Sequence, residues 1–143
     1  MKASHPLLVI AVLLMGSQFG RADELHTPPA GSAGRKGIMD TLRKQYTTGS
    51  GAAVKFEVKH LKVHHGWVWV NVVPFDKDGK PEGEEWPSLL NLQQGKWVMI
   101  DLMAIAEAID DPVGPMDPSS KFLREVQKKY PGVPADIFPK ARK

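Results

Sequence analysis

The sequence predicts an α+β fold: an N-terminal helix packed on a four-stranded antiparallel curled meander, followed by short C-terminal helices. Three observations carry the prediction. Four apolar runs with strand character follow one another between residues 54 and 102. Short turn clusters separate them, as antiparallel neighbours need. Helical apolar spacing flanks the four runs on both sides.

The elements follow in order. Residues 1–22 read as a secretory signal peptide, with Lys2 as the positive start, Leu7–Met15 as the apolar run, and Gly20 and Ala22 spaced like a cleavage site. The run is too short to span a bilayer. Export to a bacterial periplasm or beyond, without a membrane anchor, is therefore expected. Residues 23–34 are rich in Pro, Gly and Ser and read as a flexible leader. Residues 35–143 then form one α+β domain.

Ser32 can cap the first helix, and Ile38, Met39, Leu42 and Tyr46 recur at helical spacing. Thr47–Gly51 ends it. Val54, Phe56 and Val58 alternate with charged residues, and then Leu61 and Val63 continue on the opposite parity. A bulge near His60 absorbs the extra residue. His64-His65-Gly66 is a turn. Trp67–Val73 is apolar on both faces, as a central strand is, and Pro74 ends it. Asp76–Pro81 is a turn cluster. The third strand covers 88–93, Gln94-Gly95 turns the chain, and the fourth covers 96–102. A short helix at 104–109, a rigid loop at 112–118 and a last helix at 118–130 follow. Ile137 and Phe138 make the tail too apolar for a free end, so it packs back on the domain.

Charge excludes one class of partner. The formal net charge is +3, and Lys2 and Arg21 leave with the signal, so nothing argues for nucleic acid. The charges are nevertheless segregated. Seven Lys/Arg lie in 35–62, whereas 97–120 holds Asp101, Glu107, Asp110, Asp111 and Asp117 with no Lys or Arg. That acidic stretch is either an ordinary solvated face or a patch for a cationic partner. The chain has no cysteine, which excludes disulfides, a lipid-attachment thiol, a thiol nucleophile and zinc–thiolate sites.

Candidate sites are few. Trp67, Trp69 and Asn71 share one side of the second strand, and Trp97, Met99 and Asp101 share one side of the fourth. If those sides coincide, three indoles and a thioether line a pocket ending in two polar groups. A buried Asp101 would then be a candidate base. The same residues can instead fill the core beneath the helix. His60, His64 and His65 are weak metal candidates, with Asp76 or Asp78 adding oxygen, but their spacing matches no zinc signature. Asp76-Lys77-Asp78-Gly79 echoes a calcium loop with its glycine out of register, and reads as a turn. His26 would be third in the chain if cleavage fell after Asp23, a geometry that suits Cu(II). No phosphate loop, nucleophile elbow or metalloprotease motif is present.

Helix then meander, over residues 32–102, resembles the cystatin-like and nuclear-transport-factor-2-like layouts. The hairpins Val63–Trp67 and Gln93–Trp97 lack the protease-binding motifs of cystatins. Arg35-Lys36, Gly66–Val70 and Pro134–Pro139 (a Pro-x-x-Ile-Phe-Pro tail) resemble motifs of small exported bacterial proteins of unknown function. That resemblance implies fold and export and lends no activity. The expected function is an exported, non-enzymatic binding or accessory protein without a cofactor. Its partner is an envelope protein or a small apolar ligand, met through the concave sheet face or the acidic patch. A homodimer through a sheet edge stays open. The alternatives are a small pocket enzyme using Asp101 and a metal-handling protein using the histidines.

Overall fold

A strand that is apolar on both sides needs cover on both sides, and Trp67–Val73 is such a strand. The computed structural model describes residues 24–46 and 55–143. The expected signal peptide, the Thr47–Gly51 helix end and Val54 lie outside the described residues. The chain runs α1 (Ala33–Tyr46), β1 (Lys55–His64), β2 (Trp67–Phe75), β3 (Trp86–Gln93), β4 (Lys96–Met99), α2 (Leu102–Ala108), a 3-10 turn at Gly114–Met116, α3 (Ser120–Lys129) and a second 3-10 turn at Ala135–Ile137. The four strands form one antiparallel sheet in the order β1-β2-β3-β4, so the α+β class and the meander are as expected.

Local chemistry sets the register. Val58 pairs with Val72 and His60 with Asn71, leaving Lys59 as the extra residue of a bulge. The bulge returns Leu61 and Val63 to the face already used by Phe56 and Val58. The β1–β2 and β3–β4 hairpins are closed by His65-Gly66 and Gln94-Gly95, with positive φ at all four residues, the twist that two-residue hairpins require. In the longer β2–β3 loop, Asp76 Oδ1 accepts from the amides of Asp78 and Lys80 at 2.9 Å each. Asp76 thus builds a turn, as read from the sequence.

Two cores lie on opposite faces of the sheet. On one, Val68, Val70, Val72, Leu61, Val63 and Leu90 pack against Ile38, Met39 and Leu42 of α1. On the other, Trp69 and Leu89 pack against Leu102, Ile105 and Ala106 of α2, against Phe122, Leu123 and Val126 of α3, and against Val133 and Ile137. The single domain is therefore three layers. The expected open concave face is absent among the described residues, because the C-terminal helices cover it.

Several boundaries differ from the sequence reading. Pro74 does not end β2; it is buried and sits opposite Phe56 on the sheet. β4 stops at Met99 rather than residue 102, because Asp101 caps α2 by accepting from the Ala104 amide at 3.0 Å. The leader expected to be flexible is docked on the sheet at His26 and Thr27. His26 exchanges backbone hydrogen bonds with Val63 at 2.9 and 2.8 Å, and Thr27 Oγ1 donates to Leu61 O. This covers part of the outer edge of β1.

The loop after α2 carries a pH-dependent contact. Asp111 Oδ1 accepts from the amides of Gly114 at 3.0 Å and Val113 at 3.1 Å. These bonds, Gly114's first, hold its carboxyl below the ordinary value of 3.8. Its contribution is therefore full above 3.8 and is lost as pH falls through the lower folded value. Asp111→Asn keeps an acceptor without the charge, so its urea midpoint is expected to fall less steeply across that acid window than the native midpoint does. Equal slopes would refute this. Asp40, lowered mainly by its hydrogen bond from Lys36, titrates in the same window in both proteins and cancels in the comparison.

Candidate functional site

Trp67, Trp69 and Asn71 face the C-terminal layer, whereas Trp97 and Met99 face α1. The register gives the reason: Trp69 lies opposite Leu89, while Met99 lies opposite Leu90, the next residue on the other face. The expected common face is thus not formed. Trp69 is sealed in the core, its Nε1 donating to Asn71 Oδ1 at 2.7 Å and its ring edge-on to Phe138. Asn71 Nδ2 donates in turn to Glu85 Oε1. Trp67 packs beside Tyr130. Trp97 lies against α1 at Gly37, where an added Cβ would be 3.4 Å from the indole, an ordinary van der Waals contact.

The histidines also separate into structural roles. His60 Nε2 donates to Ile137 O at 2.8 Å, and His64 Nδ1 bonds Asp136 Oδ1 at 2.8 Å. His65 stacks on His64 at the hairpin tip. Two of the three thus pin the C-terminal tail to β1. Among the described residues no group of three or more His, Cys, Asp or Glu is placed to hold an ion. The copper geometry at His26 fails as well, because its amide donates to Val63 O.

Met99 and Asp101 do meet, but in company the sequence did not single out. With Gln45, Trp86, Pro87, Ser88, Ile100, Leu102 and Met103 they line a cavity of about 250 Å³ at the C-terminal end of α1. β3 supplies its floor. Ser88 shares the α1-facing side with Leu90 and is 2% exposed. Its Oγ is the one buried side-chain polar atom without a hydrogen-bond partner among the described residues. At the mouth, Trp86 is 48% and Met103 50% exposed. Through Met103 the cavity adjoins an open groove with Glu107, Asp110 and Asp111.

The arrangement is an apolar cup with one carboxylate at its rim and one unsatisfied hydroxyl buried beneath its wall. Asp101 is exposed and spends one oxygen on the α2 cap, so the buried base of the enzyme alternative is not formed. A larger apolar groove of about 360 Å³ lies between the leader, α1 and the β3–β4 hairpin. There His26 Nδ1 is bonded to Glu24 O and Ser32 Oγ to Pro29 O, and no buried side-chain polar atom among the described residues lacks a partner in it. A serine inside the apolar run Pro87–Leu90 was the available sequence signal for the smaller site.

Fold and cavity together define a three-layer α+β domain with a small, mostly apolar cavity at one end of the sheet. No protein-family model matches the chain, and no curated protein or solved structure is significantly similar to it.

Proposed function

We propose that this chain is an exported, non-enzymatic binding protein of the cell envelope that holds a small ligand in the Trp86–Ser88–Met103 cavity. The observation that carries the reading is the Ser88 hydroxyl. A buried hydroxyl without a partner costs about 1–3 kcal/mol. Native folds pair nearly all such groups, and this exception lies just beneath the wall of an apolar cup, where a ligand that displaces a methionine side chain supplies the missing bond. The exposed Trp86 and Met103 support the same reading, since they complete a wall rather than a core. The signal-like N-terminus supports the location.

Two measurements test it. Ser88→Ala removes the unsatisfied atom and is expected to raise the urea-derived stability by about 1 kcal/mol. A loss of stability of that size would mean that the hydroxyl is already satisfied, and would remove the argument for the site. Separately, a screen of small metabolites is read by tryptophan emission. A saturable change that disappears in Trp86→Phe and weakens in Ser88→Ala supports the site. A change that survives in Trp86→Phe places the ligand elsewhere and overturns it, as does a flat response across the screen.

A further inference from the structure

The chemistry of the cup narrows its ligand. Its lining carries a single charged side chain, Asp101, and no cation among the described residues. One Asp101 oxygen accepts from Ala104, which leaves the other at the rim. The indole of Trp86, half exposed at the mouth, adds a surface that attracts organic cations. Met99 and Met103 supply soft, adaptable apolar walls. The adjoining groove holds Glu107 and Asp110, both exposed, and residues 97–120 contain no Lys or Arg. The α2 side of the mouth therefore favours positive charge, while Arg43 and Lys44 belong to the last turn of α1 that leads to Gln45 on the other side. Beneath the floor, the Ser88 hydroxyl lacks a partner and has under 1 Å² of surface, so a ligand reaches it when a soft Met99 or Met103 side chain gives way.

We infer that the cavity binds a small organic ammonium that also carries a hydroxyl or carbonyl, with the cation at Trp86 and Asp101 and the hydrogen-bonding group on Ser88. This rests on the cavity being the binding site. The cup of about 250 Å³ is smaller than the usual ligand site of about 300–1,000 Å³, which suits a molecule of several heavy atoms rather than a fused-ring cofactor. No covalent step is involved.

The test compares matched probes by titration calorimetry and Trp86 emission. Choline carries both features. 3,3-Dimethyl-1-butanol has the same shape without charge, and tetramethylammonium has the charge without the hydroxyl. The neutral probe is expected to bind about tenfold more weakly than choline, the combined effect of a partly desolvated cation–π contact and an exposed ion pair. Ser88→Ala is expected to weaken choline about fivefold, one hydrogen bond, while leaving tetramethylammonium unchanged. Asp101→Asn keeps the helix cap and is expected to weaken choline about threefold, with no effect on the neutral probe. A fourth probe, N-acetyl-lysine methylamide, separates sources. If it binds tightest, the ammonium inference stands and the cation belongs to a protein side chain. Equal binding of choline and its neutral isostere, or an Asp101→Asn variant without effect on choline, overturns the inference while the cavity reading survives. Silence from every probe overturns it too, and the wider metabolite screen then decides the cavity reading on its own.

Discussion

Trp69→Ala is expected to lower folding stability by about 4 kcal/mol, a large fraction of what a domain of this size holds. The indole is fully buried, bonded to Asn71 and edge-on to Phe138. Its removal leaves a cavity beneath α2, α3 and the tail, whose side chains are anchored from several directions and can collapse only in part. Trp86→Ala, at a residue with half its surface in water, is expected to cost about 1 kcal/mol or less. Urea unfolding of the two variants side by side checks the contrast. Equal and small losses would mean that Trp69 is not core, and would return it to the list of ligand walls.

The contrast also marks where the sequence stops being legible. Two indoles with the same chemistry sit in neighbouring strands, and periodicity alone does not say which is sealed. Within one strand the alternation of faces is unambiguous, and the parity slip at Lys59 was readable because Val58 and Leu61 are both apolar across an odd gap. Between strands the phase must be passed on through pairing. β3 defeats that step, because Leu89 and Leu90 are both apolar and fully buried, one on each face. With either leucine as the inward residue the sequence reads equally well. Only the register opposite Trp69 and Met99 decides, and it places the Trp67–Trp69–Asn71 set and the Trp97–Met99 set on opposite faces.

The cavity was half legible for a related reason. Met99 and Asp101 were read together with Trp97 from the spacing of β4, and those two, without Trp97, line one cavity. Their companions come from β3 and from the end of α1, far along the chain. Ser88 is a common residue whose significance lies in a missing partner, and that is a property of packing rather than of local pattern. The histidines show the converse. Their clustering in sequence suggested a shared ligand, yet an extended strand puts His60 and His64 on one face about 13 Å apart, and each bonds to a different part of the tail.

Gly114→Ala is expected to cost about 3 kcal/mol, from two separable sources. Gly114 has φ of +50°, a left-handed conformation in which a side chain adds about 1–2 kcal/mol. Its added Cβ would also lie 2.7 Å from the Cβ of Ala106, closer than real Cβ atoms approach. Ala106 is buried in α2 and has no rotamer to change, so relief requires moving α2 away from the turn. Gly31 gives the control. Its φ is +81° with nothing within 4 Å of an added Cβ, so Gly31→Ala carries the backbone cost alone, about 1 kcal/mol. A Gly114→Ala loss no larger than that of Gly31→Ala would remove the close approach from the account. The double variant with Ala106→Gly tests the same contact from the other side: the two losses should fail to add by about 1 kcal/mol or more. α2 begins at the Asp101 cap and carries Leu102 and Met103 into the cavity. A shift of this helix forced by Gly114→Ala therefore reaches the cup, and the same variant is expected to weaken whatever Ser88→Ala weakens.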